Sequence, residues 1–317
     1  MLNLTSRRAF STAAKKRVGF FGLGNMGLPM AKNLIAAGFE VKGYDISEAG
    51  CKRAAEQGVN ATQDFTHVAK DVDYIVTALP VTDDVANTLY REGGVFDTAS
   101  KGTIVCDAST IDPNASKRFA EKAKEHGITF IDTPMSGGIN GAIAGKLTFM
   151  CGADKADFEA ATPVLEGMGK NVFHCGAVGT GGIAKLTNNL ILGITMVAAS
   201  EAMAIGEKLG ADPKVLTKIW SVSSARSHSV DAYNPHPDVM PGVPSANNYD
   251  GGFAVALIRK DLGLAMDAAK SVGADMDFTE RAFGVYEDIE KEGYARKDFS
   301  FVYQYLMNNR NMTKYDK

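Results

Sequence analysis

"VGFFGLGNMGLPMAKNL", Val18 to Leu34, decides the fold. It opens as a short β-branched and aromatic run, the pattern of a buried strand, and continues with apolar residues at helical spacing up to Gly38. Between the two stand Gly22, Gly24 and Gly27, a G-x-G-x-x-G. On its own that spacing is a weak signal, but between a strand and a helix each glycine has a task. Gly22 permits a tight turn, Gly24 lets backbone approach a pyrophosphate, and Gly27 lets the helix pack on the sheet. The free N–H groups at the start of such a helix favour phosphate.

The next strand candidate, "EVKGYD", closes on Asp45, 18 residues after Gly27. A carboxylate there can hold the adenosine ribose 2′-hydroxyl and would repel a 2′-phosphate, so the expected cofactor is NAD rather than NADP. Further strands follow in "DYIVTALP", "GTIVCDAST" and "ITFIDTP", with helical patterns between them. That alternation predicts an α/β fold, a Rossmann-type doubly wound parallel sheet. Strand ends at Leu79–Pro80 and Asp107–Thr110 should face the same crevice, where their backbone or hydroxyls can line a cofactor or simply close loops. "KLTFMCGA" and "KNVFHCG" would add two more strands.

From Gly181 the texture changes. "IAKLTNNLILGITMVAASEAMAIGEKLG" has no turn signal before Gly210 and is apolar nearly all round, which predicts a buried core or interdomain helix. Asp212 and Pro213 read as the N-cap and first residue of the next helix, and Asp277 with Glu280 as a capping box. The rest is helical except for "YNPHPDVMPGVPSANNYDGG", which holds four of the ten prolines. The expected division is a dinucleotide-binding domain over 17–180 and an all-helical substrate and oligomerisation domain over 181–317, joined by the long helix.

Composition narrows the function. The 317 residues are 45% hydrophobic and 22% charged, with a net charge of −3, so no basic surplus points to nucleic acid. The four cysteines are far apart, with no CxxC or His/Cys cluster to suggest a metal. The most apolar run, Leu190–Ala199, is too short to suggest a membrane span. The N-terminus is different: "MLNLTSRRAFSTAAKKR" is rich in Arg and Ser/Thr, and the first acid in the chain is Glu40. That composition predicts a mitochondrial transit peptide over 1–16 and a matrix location.

Two stretches carry candidate chemistry. Ser136–Gly137–Gly138 can form a nest of backbone N–H groups for a carboxylate, or merely a flexible turn. Lys185 sits one turn inside the long helix, with Asn188 and Asn189 on its face at i+3 and i+4. A desolvated lysine loses pKa and becomes a usable proton acceptor or donor, although a lysine snorkelling to the surface has the same spacing.

"GLGNMG", "DTPMSGGINGAIAG", "GTGGIAKLTNN" and "KDLGLA", in that order, resemble the β-hydroxyacid dehydrogenase family from about residue 17 to 306. The resemblance implies that Lys185 is the catalytic lysine with Asn189 as its companion, and that Ser136, Gly137 and Gly138 bind the substrate carboxylate. It implies that Lys260 approaches both cofactor and substrate, and that Asn25, Met26, Leu79, Pro80 and Thr110 join Gly22, Gly24, Gly27 and Asp45 around NAD. The Pro-rich loop resembles the mitochondrial branch of the family, which implies NAD-dependent oxidation of 3-hydroxyisobutyrate to methylmalonate semialdehyde in valine breakdown. A homodimer or homotetramer is implied as well. The chain departs from the family at Asp84, usually Asn, at Met135, usually Val, and at Asp238, usually Gly. Two alternatives stay open: a reductase of tartronate semialdehyde or glyoxylate-type substrates, or a dinucleotide-binding protein without catalysis.

Overall fold

The computed structural model describes residues 16–308. Apart from Lys16, whose ammonium lies 3.4 Å from Asp73, the expected transit segment falls outside the described residues. The strands are β1 (Arg17–Phe21), β2 (Glu40–Tyr44), β3 (Asn60–Thr62), β4 (Tyr74–Thr77), β5 (Ile104–Asp107), β6 (Thr129–Asp132), β7 (Met135–Ser136), β8 (Leu147–Gly152) and β9 (Gly169–Gly176). Between them run helices α1 (Gly27–Ala36), α2 (Glu48–Glu56), α3 (Phe65–Ala69), α4 (Thr82–Tyr90), α5 (Val95–Thr98), α6 (Pro113–Glu125), α7 (Gly138–Ile143) and α8 (Lys155–Glu166). After β9 come α9 (Thr180–Lys208), α10 (Pro213–Ser221), α11 (His228–Asp231), α12 (Val255–Ser271), α13 (Asp277–Ile289) and α14 (Val302–Asn308).

All nine strands share one sheet in the order β3-β2-β1-β4-β5-β6-β8-β7, with β9 beside β8. The first six are parallel. Strand β8 runs antiparallel to β6 and β7, so the sheet is mixed rather than purely parallel. The ten residues between Ser136 and Leu147 are too few for a parallel crossover, and the chain doubles back instead. Strand order reverses between β1 and β4, which opens a crevice at their carboxyl ends.

Both faces of the central strands β1, β4, β5 and β6 are covered, which is why these strands read as continuous apolar runs. Phe20 packs with Leu28, Met30 and Leu34 of α1 and with Val164 and Leu165 of α8. Its neighbour Phe21 points to the opposite face, among Val68, Leu89 and Phe119. The carboxyl-terminal half has a core of its own, built from Met196 of α9, Ile258 and Leu262 of α12, Tyr286 of α13 and Val302 of α14.

Helix α9 is 29 residues long, close to the turn-free stretch that predicts it in the sequence. Among the described residues it is the one helix long and apolar enough to cross a membrane. Here it packs on α12, α13, α14 and β8. It is not buried all round as its composition predicts: Ile191 and Ile205 are 62% and 61% exposed, and Leu209, at its carboxyl cap, is 82% exposed. The buried stripe runs through Lys185, Leu186, Asn189, Gly193, Met196, Ser200 and Met203. Asp212 caps α10 as expected, accepting from the Lys214 N–H at 2.7 Å, with Pro213 in the first turn. The capping box at α13 does not form. Asp277 is already inside the helix, Met276 holds the cap position, and no side-chain cap bond is made.

Candidate active site

The turn between β1 and α1 is shaped by close approach. Gly22 has φ +94°, and a Cβ there would meet the Ala78 carbonyl oxygen at 2.4 Å. A Cβ at Gly27 would fall 1.8 Å from the Gly22 carbonyl oxygen, so only glycine lets α1 start against the turn. Gly24 differs. It is exposed, with nothing within 4 Å of where a Cβ would sit. That leaves room for a pyrophosphate against backbone at the helix start, where Asn25 is exposed and Met26 is the N-cap residue. Asp45 follows β2 directly. Its carboxylate accepts from the Leu23 N–H and the Ser47 N–H, both at 2.9 Å, tying the glycine turn to the β2–α2 connection. Each carboxylate oxygen keeps lone-pair capacity for a ribose hydroxyl. The residues present fit a dinucleotide, with the acid placed to favour one lacking a 2′-phosphate.

The carboxyl ends of β4 and β5 are knitted together one step further along. Thr77 and Asp107 are partners in the β4–β5 register. The Thr77 hydroxyl donates to Asp107 at 2.7 Å and the Ser109 N–H donates to the same oxygen at 3.1 Å. The Leu79 N–H in turn donates to the Ser109 hydroxyl at 2.9 Å. Asp107 is fully buried and its second oxygen has no partner. Burial pushes its pKa up to about 6, against the opposing hydrogen bonds from Ser109 and Thr77. Lys260 of α12 reaches these strand ends from the helical half. Its ammonium donates to the Thr110 carbonyl at 2.7 Å and to the Pro80 carbonyl at 3.0 Å, so Leu79, Pro80, Thr110 and Lys260 meet in one place.

Lys185 lies in the first turns of α9 and is 8% exposed. Its ammonium makes no hydrogen bond or ion pair among the described residues. Burial holds its pKa below the usual lysine range; the nearby Asp261 carboxylate pulls it back up, and the Lys260 charge pushes it down. Asp261 is the residue that sequence reasoning missed. It is 2% exposed, accepts from the Asn189 side-chain amide at 2.6 Å, and pairs with the Lys260 ammonium at 3.2 Å. Asn189 therefore bonds to Asp261 rather than to Lys185. Asn188 turns outward and donates to the Asn189 side-chain oxygen at 3.0 Å. The sequence signal for Asp261 is its place beside Lys260 in "RKDLGLA".

Ser136 ends β7, paired with Thr148 of β8. Gly137 and Gly138 follow with φ +130° and +61°, and α7 starts at Gly138. The first N–H groups of that helix have no partner within it, so the turn offers donors to an anion. Asn33 of α1 steadies it by donating to the Ala142 carbonyl at 2.6 Å. Of the departures from family pattern, Asp84 is exposed in the first turn of α4, and Met135 packs half-buried on the sheet core. Asp238 lies on a cavity of about 560 Å³ that Tyr249, Tyr294 and Lys297 also line. None of the candidate site residues lines that cavity.

The fold and this site together define an NAD-dependent dehydrogenase. A family model for the NAD binding domain of 6-phosphogluconate dehydrogenase matches residues 17–176. A second, for the NAD-binding part of NADP-dependent 3-hydroxyisobutyrate dehydrogenase, matches residues 179–306. The chain is 47% identical over 302 residues to a probable mitochondrial 3-hydroxyisobutyrate dehydrogenase of Dictyostelium discoideum, covering 95% of this chain and 94% of the relative. It is 46% identical over 296 residues to the mitochondrial 3-hydroxyisobutyrate dehydrogenase of Mus musculus, covering 93% and 88%. The solved structure of Mycobacterium tuberculosis 3-hydroxyisobutyrate dehydrogenase with L-serine superposes with a TM-score of 0.85 at 35% identity, covering 92% of this chain and 99% of that one. The chain belongs to the β-hydroxyacid dehydrogenase family.

Proposed function

We propose that the protein oxidises 3-hydroxyisobutyrate to methylmalonate semialdehyde, as a step of valine breakdown in the mitochondrial matrix. The observation that carries the reading is Lys185: a buried ammonium with no direct partner, next to Asp261 and Lys260 where the helical half meets the strand ends. Bound NAD would supply the acceptor for the hydride that leaves the carbinol carbon. Gly24, Asn25 and Met26 would receive its phosphates on the turn that Gly22 and Gly27 shape, Asp45 would hold its adenosine ribose, and Leu79, Pro80, Thr110 and Lys260 would line its nicotinamide end. Ser136, Gly137 and Gly138 hold the substrate carboxylate, with Lys260 beside it. Lys185 in its neutral form takes the hydroxyl proton as general base, and in the reverse direction returns it to the forming alkoxide. The Asp261 charge tunes that lysine, and Asn189 holds the Asp261 carboxylate through its side-chain amide. A 3-hydroxy acid suits the layout because its carboxylate stands one carbon further from the reacting carbon than in a 2-hydroxy acid.

The location in mitochondria is supported by the acid-poor, Arg-rich start of the chain and by the mitochondrial names of the two relatives. We divide the chain into a transit peptide over 1–16, an NAD-binding domain over 17–180 and a helical substrate and oligomerisation domain over 181–317. A homodimer or homotetramer is supported by the uncovered apolar stripe of α9. A reductase of tartronate semialdehyde or glyoxylate-type substrates working with NADPH is disfavoured by Asp45, and a non-catalytic binding role by the retention of Lys185, Asn189 and Lys260.

The test is NADH or NADPH formation with 3-hydroxyisobutyrate, L-serine, glycerate and 3-hydroxypropionate, each offered with NAD⁺ and with NADP⁺. The expected result is the highest kcat/KM for 3-hydroxyisobutyrate with NAD⁺. A preference for glycerate or for NADP⁺ would overturn the substrate or cofactor assignment, and no turnover on any of them would favour the non-catalytic reading.

A further inference from the structure

Helix α9 carries Lys185, yet its own sequence does not cap it. The N-cap residue is Gly179, with φ +95° and no side chain to satisfy the N–H groups of the first turn. The acceptor comes from the sheet. Asp132, the last residue of β6, accepts from the Gly179 N–H at 2.6 Å through one carboxylate oxygen and from the Gly182 N–H at 2.7 Å through the other. A carboxylate at a helix amino end is favoured by the helix dipole and by charge-assisted hydrogen bonds. Asp132 is 2% exposed, so the contact is shielded from water.

The surroundings are cut to let the helix come this close. A Cβ at Gly152 of β8 would fall 2.4 Å from an Asp132 oxygen. A Cβ at Gly181 would fall 2.2 Å from the Met150 carbonyl oxygen and 2.9 Å from Asp132. Glycine at both positions is what allows the strand end, the carboxylate and the helix start to share one space.

The same residue also stands at the root of the turn assigned to the substrate carboxylate. Thr133, Pro134 and Met135 lead from Asp132 to Ser136, and the path is fixed by pairing with β8, Asp132 with Gly152 and Ser136 with Thr148. On the other side, Lys185 follows Gly182 by three residues, about 4.5 Å along the helix axis. One buried carboxylate therefore links the two, four residues before Ser136 in the chain and bonded to the first turn of the helix that carries Lys185.

We propose that Asp132 is a positioning residue for the reaction: by clamping the first turn of α9 to the end of β6, it sets the place of Lys185 relative to the Ser136–Gly138 turn. It does not touch substrate and moves no proton. Its effect is on the fit between the base and the hydroxyl, the kind of geometry in which about 1 Å of misplacement can cost about 10²-fold in rate. The proposal rests on the general-base reading of Lys185.

The test is a double-mutant cycle in the full chain: wild type, Asp132→Asn, Lys185→Met and the double variant. Each is measured for kcat/KM with 3-hydroxyisobutyrate and NAD⁺ and for NADH affinity by fluorescence. Asparagine keeps the shape of Asp132 but presents an amide N–H to one of the two helix donors. The expected result is a loss of about 10²-fold in kcat/KM, mostly in kcat, for Asp132→Asn. NADH affinity should stay within about twofold, and the extra loss in the Lys185→Met background should be under about threefold, because the two residues act as one unit. Gly181→Ala, which pushes the same turn off the Met150 carbonyl, should reproduce the kcat loss with NADH affinity kept. An Asp132→Asn loss of equal size in both backgrounds, a wild-type rate, or loss of NADH binding would overturn the positioning role. A Lys185→Met enzyme that keeps its rate would refute the general-base reading and this proposal with it, whereas an additive cycle refutes the positioning role alone.

Discussion

At the scale of the residue, the central fact is an ammonium held in a place that disfavours its charge. Burial lowers the pKa of Lys185, and the Asp261 carboxylate partly restores it. A general base has to be neutral before it can take a proton, so oxidation should rise with pH through the Lys185 pKa. Removing the Asp261 charge removes an attraction that stabilises the protonated lysine, so the pKa falls. Asp261→Asn is therefore expected to move the acid limb of the kcat/KM–pH profile of oxidation to lower pH, as measured by initial rates across the profile. A limb that stays in place or moves up would remove Asp261 from this role. The sequence pointed to Lys185 and Lys260 through resemblance. It did not reveal that Asn189 bonds to Asp261, because that contact joins residues 72 positions apart on different helices.

At the scale of the element, the β1–α1 unit shows how far local sequence can carry a fold. The strand, the turn, the helix and the place of Asp45 were all legible, because each follows from short-range sterics and hydrophobic period. The demand at Gly27 is severe, since a methyl group there would lie 1.8 Å from the Gly22 carbonyl oxygen. Gly27→Ala is expected to push α1 off the sheet and distort the phosphate turn, raising the Kd for NADH by at least about tenfold in a fluorescence titration; unchanged affinity would contradict this use of the glycine. What local reading misses is what neighbouring strands impose. Strand β7 has two residues and pairs with β8, while β3 has three and pairs with β2. Runs that short carry no periodicity of their own. The missing cap at α13 is a similar lesson, because the acid at its start can sit inside the helix as well as at its cap.

At the scale of the whole molecule, the division of labour runs along the carboxyl edge of the sheet. The glycine turn and the Leu79–Pro80 and Thr110 strand ends follow parallel strands, the Ser136–Gly138 turn follows the short antiparallel β7, and the helical half supplies Lys185, Asn189, Lys260 and Asp261. Lys260 binds the two halves across residues 150 and 180 positions apart. The sequence could not show which face of α9 stays uncovered, since a helix apolar all round carries no mark of its partners. Covering a large aliphatic side chain is worth about 1.5–3 kcal/mol, so the exposed Ile191, Ile205 and Leu209 favour self-association. Ile191→Asp with Ile205→Asp is expected to lower the mass found by light scattering, and an unchanged mass would place the subunit interface elsewhere.

The most direct test of the account is kcat/KM for 3-hydroxyisobutyrate and NAD⁺ in the Lys185→Met enzyme, with NADH affinity measured on the same sample. With Lys185 as general base, the expected result is a loss of about 10²–10⁴-fold with NADH still bound. A variant that binds NADH and keeps most of the wild-type kcat/KM would contradict it.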